Sequence, residues 1–184
     1  MKNVLISGYY GFNNTGDEAM IETMSMLLAK RDYGLIVLSS NPDRTKELYN
    51  VQAYDRYQFR EVRKAIKKAD LVVSGGGTLF QDITSGKSLL YYLGIVKLAQ
   101  MMHKKVCIAY QGIGPLLSGV NRRLTRNILN QKSVKLIALR DEQAIDFAKE
   151  IGIDKNKITF SSDMIFMLEP PPKERCNKIL RDNV

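Results

Sequence analysis

The stretch Lys2-Asn3-Val4-Leu5-Ile6-Ser7-Gly8 decides the fold. It is a short apolar run that stops on a glycine, too short for a membrane span or a secretory signal and of the right length for a β-strand. Similar runs rich in Val, Ile and Leu recur along the chain. They predict strands at Asn3 to Ser7, Gly34 to Ser39, Leu71 to Ser74, Val106 to Tyr110, Leu136 to Leu139 and Ile158 to Ser161, with a weaker one at Val51 to Tyr54. Helical segments are expected to begin near Asp17, Phe59, Ser88, Asn121 and Glu142. Strands that are apolar throughout, separated by helices, belong to a parallel sheet covered on both faces. The expected fold class is therefore α/β, a doubly wound Rossmann-like domain.

Composition narrows the function classes. With 184 residues, 45% hydrophobic and 26% charged, the chain has the make-up of one soluble globular domain, not of a disordered or fibrous protein. Its two cysteines are far apart and follow no metal-ligand or disulfide spacing, which points to a reducing, cytoplasmic setting. The net charge of +9 comes from clusters such as Arg60, Arg63, Lys64, Lys67 and Lys68, then Lys104 and Lys105, then Arg122, Arg123 and Arg126. These read either as solvated helix faces or as an attraction to an anionic membrane surface, which would place the protein peripherally at the inner membrane face. Nucleic acid is not expected, because no basic base-reading helix and no aromatic stacking platform is recognisable.

Ligands of doubly wound sheets bind beyond the carboxyl ends of the strands, where the strand order reverses. Three glycine-containing loops fall on that rim: Gly8 to Gly16, Gly75 to Asp82 and Gln111 to Pro115. The first has Asp17 and Glu18 where a Walker A loop needs Lys and Ser or Thr, and it lacks the Gly-x-Gly-x-x-Gly of a dinucleotide site. No ATP, NAD or other cofactor is expected, and no metal constellation is present. Asp17 and Glu18 open a helix, so they either complement its macrodipole beside a cap at Asn14 or Thr15, or face a ligand. In the second reading Asp17 orients or deprotonates a sugar hydroxyl, Asn13 and Asn14 hydrogen-bond the same sugar, and Thr15, Gly16 and Glu18 count among the substrate-binding residues.

Gly75, Gly76 and Gly77 let the backbone approach a ligand closely, with Gln81 and Asp82 adding an amide and a carboxylate. Gln111, Gly112 and Gly114 repeat the theme after the Val106 strand. Arg140 follows the Leu136 strand on the same rim. It is read either as a bidentate contact for a carboxylate or phosphate, or as a surface charge beside a helix-capping Asp141. His103, the sole histidine, sits at a helix end and reads as structural, as does Cys107 in its apolar run.

Taken together, Gly8-Tyr-Tyr-Gly-Phe-Asn-Asn-Thr-Gly-Asp-Glu-Ala19, Gly75-Gly-Gly-Thr-Leu-Phe-Gln-Asp82, Gln111-Gly-Ile-Gly-Pro115, Arg140-Asp141 and Ser162-Asp163 resemble the polysaccharide pyruvyl transferases. The likeness is greatest to the bacterial branch that pyruvylates the secondary cell-wall polymer anchoring S-layer proteins, and it runs from Met1 to about Pro172. The resemblance implies a two-domain fold similar to the GT-B glycosyltransferases, with the active site between the domains. It implies phosphoenolpyruvate as donor and a lipid-linked or nucleotide-linked glycan as acceptor, ketalised typically on N-acetylmannosamine. Arg140 matches an arginine near the donor, so Asp17 and Arg140 are the catalytic candidates. The family's remaining donor and acid residues, including a histidine, lie in a C-terminal domain. On this reading residues 1–168 form the N-terminal domain, and residues 169–184, opening with Glu169-Pro170-Pro171-Pro172, form a stiff connector and tail. The 184-residue chain alone is then expected to fold but not to catalyse. The chain departs from the family at Asn13, where glycine is common, and at Met164, where proline usually follows the aspartate. The competing readings are a GT-B glycosyltransferase using a nucleotide sugar and a non-catalytic α/β binding domain.

Overall fold

The computed structural model describes residues 1–168 and 172–182. Glu169, Pro170 and Pro171 of the expected connector lie outside the described residues. Strand and helix alternate along the chain: β1 (Lys2–Ser7), α1 (Thr15–Ala29), β2 (Tyr33–Ser39), α2 (Pro42–Tyr49), β3 (Gln52–Asp55), α3 (Phe59–Lys68), β4 (Leu71–Gly75), α4 (Gly86–Met101), β5 (Lys105–Gln111), α5 (Gly119–Leu129), β6 (Val134–Leu139), α6 (Glu142–Glu150), β7 (Ile158–Phe160) and α7 (Lys173–Asp182). A 3-10 turn at Met164–Met167 follows β7.

All seven strands form one parallel sheet in the order β3-β2-β1-β4-β5-β6-β7. The order runs outward from β1 to β3 on one side and from β4 to β7 on the other, so the chain reverses direction across the sheet between β1 and β4. There Ser7 pairs with Ser74 at the carboxyl ends of the two strands. This is the switch point at which a doubly wound sheet opens a crevice. The doubly wound Rossmann-like fold expected from the apolar runs is the fold observed.

Strand residues alternate between two cores, as the two-residue period of a strand requires. Leu5, Ile36, Val72 and Ile108 pack beneath α3, α4, α5 and α6, whereas Val4, Ile6, Val37 and Val73 pack beneath Met20 and Ile21 of α1. Each such fully buried aliphatic side chain contributes roughly 1.5–3 kcal/mol relative to exposure.

Some elements differ from the sequence expectation. Helix α2 was not anticipated: it has only eight residues and buries only Thr45, so it shows little apolar period. Local chemistry makes it instead, with Asn41 accepting from the Arg44 amide as the N-cap and Pro42 in the first turn. Helix α4 starts at Gly86, two residues before Ser88, because Ser85 caps it. Residues 173–182 form a helix where a tail was expected. His103 has φ of 57° and donates its amide to Gln100 O just past α4, a helix end as expected. Among the described residues no helix is long and apolar enough to cross a membrane.

Candidate active site

The loop after β1 is shaped before any ligand is considered. Asn13 takes φ of 62°, a left-handed conformation that glycine and asparagine adopt most readily, which explains why asparagine can stand where the resembling family has glycine. Asn14 then caps α1, its Oδ1 accepting from the amides of Gly16 at 3.1 Å and Asp17 at 3.4 Å. This places Asp17 in the first turn, half-buried and facing the switch crevice.

Across the crevice, Gly76 and Gly77 carry β4 into its loop at φ of 86° and 63°. A Cβ at Gly76 would stand 2.5 Å from Met20 Sδ, so this glycine serves the packing of α1 on the loop. A Cβ at Gly77 would look out 3.8 Å from Asp17 Oδ1. The β5 loop is zipped to the same backbone: Gly112 donates to Gly77 O at 2.9 Å and Gly114 to Phe80 O at 2.8 Å. The amides of Gly112 and Gly114 are thus spent on holding the rim together.

Arg140 enters from the end of β6. Its Nη1 donates to Asp163 Oδ2 at 3.0 Å and its Nη2 to Thr78 Oγ1 at 3.3 Å, while Nε lies 3.9 Å from Asp141 Oδ2. Asp163 is fixed in turn as the N-cap of the 3-10 turn, accepting from Ile165 N at 3.2 Å. A first helical position follows it, which suits the family's usual proline and here holds the buried Met164. Asn14, Gly16, Asp17, Gly77, Arg140 and Asp163 line one cavity of about 210 Å³. A neighbouring cavity of about 250 Å³ shares Asp17 and Gly77 and extends to Thr78, Gln81 and Tyr9. A third, of about 400 Å³, continues from Thr78 past Gly112 and Gly114 to Phe147.

Burial pushes the Asp17 carboxyl up to about 6, and the neighbouring Glu18 and Asp163 add to the rise while Arg140 opposes it. A carboxylate that titrates near neutrality beside a guanidinium can take a proton from a hydroxyl and return it.

The other sequence candidates stand elsewhere. Glu18 accepts from Gly11 N at 2.9 Å through Oε1 and from the Tyr49 hydroxyl at 3.0 Å through Oε2, tying the β1 loop to α2. Asp82 accepts from the amides of Leu117 and Ser118 and from Asn121 Nδ2 at 2.7 Å, and so anchors the start of α5. Gln81 is hydrogen-bonded to Thr84. Asn13 and Thr15 are exposed on the rim, Gly75 is buried, and its carbonyl accepts from Tyr10 Oη. Gln111 is fully buried and neither of its amide atoms has a partner among the described residues. His103 precedes β5 and therefore lies at the amino edge of the sheet, opposite the cleft. Asp141 caps α6, accepting from Ala144 N at 2.7 Å, and also lines the third cavity.

Asp163 and Thr78 are site residues that the sequence alone does not single out. Asp163 was within reach of the rule that selected Arg140, because it too follows a strand on the carboxyl rim. Among the described residues no group of three or more His, Cys, Asp or Glu is arranged to hold a metal.

Solved structures share this architecture. A glycosyltransferase from Rickettsia africae superimposes with a TM-score of 0.60 at 12% identity, over 100% of this chain and 50% of its own. Anabaena Alr3699/HepE, solved with UDP and glucose, gives 0.59 at 12% identity over 89% of this chain and 44% of that one. Staphylococcus aureus MnaA, solved with UDP, gives 0.58 at 12% identity with the same coverage. At such identities the likeness shows the fold alone, a Rossmann-like parallel α/β sheet shared with about half of each of these structures. The chain spans about half the length of these structures. No curated protein sequence is significantly similar to it. The family model of the polysaccharide pyruvyl transferases matches residues 14–183, and the chain belongs to that family.

Proposed function

We propose that the crevice between β1, β4 and β6 is one wall of a site that transfers pyruvate from phosphoenolpyruvate to a cell-wall glycan, and that this chain is the N-terminal half of that enzyme. The observation that carries the reading is Asp17, a carboxylate raised to about 6 in the same cavity as the guanidinium of Arg140. Pyruvyl transfer adds a proton to the methylene carbon of phosphoenolpyruvate and bonds a sugar oxygen to its C2, the hydroxyl losing its proton. The bond from C2 to the bridging oxygen then breaks, and phosphate leaves with that oxygen. A second sugar hydroxyl closes the ketal on C2, and its proton balances the departing phosphate. In this scheme Asp17 accepts the proton of the attacking hydroxyl, Asn14 positions the sugar, and Arg140 contacts the carboxylate or phosphate of the donor. Arg140 is held by Asp163 and Thr78 before the donor arrives, so little side-chain order is lost on binding. The acid that protonates the methylene carbon is assigned to the facing domain, because His103 lies at the opposite edge of the sheet.

A nucleotide-sugar glycosyltransferase is the second reading, supported by the neighbours solved with UDP. Phosphate release from phosphoenolpyruvate by the whole protein separates the two, measured with and without an N-acetylmannosamine-bearing acceptor. Acceptor-dependent release is expected. Binding of a UDP-sugar with no release from phosphoenolpyruvate would favour the glycosyltransferase instead.

A further inference from the structure

A groove of about 320 Å³ runs between α3 and α4, away from the cleft, and its lining is almost entirely apolar. Phe59, Val62, Leu90, Ile95 and Leu98 form much of it. Its edges stand in solvent: Tyr57 is 68% exposed, Phe59 66% and Leu90 51%. The outward stripe of α4 is Lys87, Leu90, Gly94, Lys97 and Met101, at spacings of three and four, and all five are exposed. That stripe carries no acidic residue, and neither does the rest of α4. On the other flank α3 exposes Arg60, Arg63 and Lys67, while Lys64 and Lys68 lie over the Tyr54 ring at 5.5 Å, toward β3. Its one acid, Glu61, lies 3.6 Å from Lys64 and is thereby offset.

Aromatic and aliphatic side chains left in water between two basic flanks are costly unless something covers them. The charge pattern says what that is. A surface rich in negative charge with an apolar layer beneath it matches both the lysines and arginines and the ridge of Tyr57, Phe59 and Leu90. We propose that the α3–α4 face docks on an anionic lipid bilayer, with the aromatic ridge inserted at the headgroup level and the basic side chains of α3 and α4 on the lipid phosphates.

Arg56 lines the groove and ties it to the β1 loop. Arg56 is 7% exposed and its guanidinium packs on the rings of Phe12, Tyr57, Tyr91 and Tyr92. Its Nη1 donates to Gly8 O at 2.9 Å and its Nη2 to Tyr92 Oη at 3.2 Å. Docking would therefore hold the β1 loop, and with it Asn14 and Asp17, close to a glycan carried at the membrane. Lipid binding by this face does not depend on pyruvyl transfer, and its test involves no turnover.

The chain contains no tryptophan, so one introduced indole is a unique reporter. Phe59→Trp, or Leu90→Trp should the first variant melt early, is titrated with phosphatidylglycerol-containing vesicles and with neutral phosphatidylcholine vesicles. Val120→Trp, at a position 75% exposed on α5 beside Arg122, Arg123 and Arg126, reports the other basic face. The expected result is a blue-shifted emission from the Phe59→Trp variant on anionic vesicles only, reversed by salt, with the emission of the Val120→Trp variant unmoved. Adding Arg63→Glu and Lys67→Glu should lower the bound fraction roughly tenfold or more. Three results would each overturn the proposal: an equal response to neutral vesicles, a response from the α5 reporter as large as that from the groove reporter, or a blue shift that grows with protein concentration without vesicles. The last outcome would mark the face as a contact between copies of the chain.

Discussion

On the β2–β3 side of the switch, charged side chains are consumed in holding the chain together. Glu18 spends both oxygens on Gly11 and Tyr49, and Arg56 is buried among aromatic rings with its donors on Gly8 O and Tyr92. On the β4–β7 side Asp17, Arg140 and Asp163 meet in an open cavity, and there the Asp17 carboxyl is pushed up instead of satisfied. Asp17 and Glu18 are adjacent in sequence, yet one points to the cleft and the other to a neighbouring helix. A helix turns by about 100° per residue, so two acids in a first turn need not share a task. The contrast also separates what a motif is for: part of the loop after β1 builds the rim, and part of it remains available to a ligand.

The largest effect expected from breaking this contrast is at Arg140. Arg140→Ala removes the cation that lines the cavity and leaves Asp163 and Asp17 facing each other without it. Turnover of the whole enzyme should fall by roughly 10² or more, and the fold should lose about 1–3 kcal/mol from the unpaired Asp163. An unchanged turnover would place the donor elsewhere. A chemical denaturation series alongside the kinetic assay checks both.

A smaller effect is expected in the pH dependence of stability. Asp17 titrates near 6 in the folded chain and near its ordinary value, about 3.9, when unfolded. Between those values the folded protein holds a proton that the unfolded one releases, so the ionised group weakens the fold as pH rises through about 6. Asp17→Asn should then melt a few degrees above wild type at pH 7.5, less than the shift alone implies because solvent screens a half-exposed group. The gap should close toward pH 4. A variant that melts lower than wild type at pH 7.5 would make Asp17 a helix-end residue, since loss of a first-turn carboxylate costs about 0.3–1 kcal/mol.

The sheet was legible because its strands are apolar on both faces, and buried parallel strands leave that mark in any sequence. Helix α2 was not, because Pro42–Tyr49 buries one residue and owes its existence to Asn41 and Pro42, signals of capping and not of period. Among the site candidates, Asp17, Asn14 and Arg140 were visible as polar residues on loops at the carboxyl rim, and the structure brings them into one cavity. The direction of Glu18 was hidden because its partner, Tyr49, is supplied by the unanticipated α2. Asp82 and Gln111 belong to the same difficulty. Their loops are on the rim, but Asp82 turns to the start of α5 and Gln111 is covered, and neither outcome can be read from spacing. Asp163 lies 23 residues beyond Arg140, and only the pairing of β6 with β7 brings the two together.

The two adjacent acids can be set against each other in a single assay. Acceptor-dependent phosphate release from phosphoenolpyruvate is measured for the whole enzyme as wild type, Asp17→Asn and Glu18→Gln, with the melting temperature of each taken in the same buffer. Asp17→Asn is expected to lose roughly 10²–10⁴ in turnover with no loss of melting temperature. Glu18→Gln is expected to melt lower while keeping most of its turnover, because its carboxylate holds the loop and not the sugar. The reverse pattern, with Asp17→Asn active and Glu18→Gln folded but inactive, would contradict the assignment of the cleft.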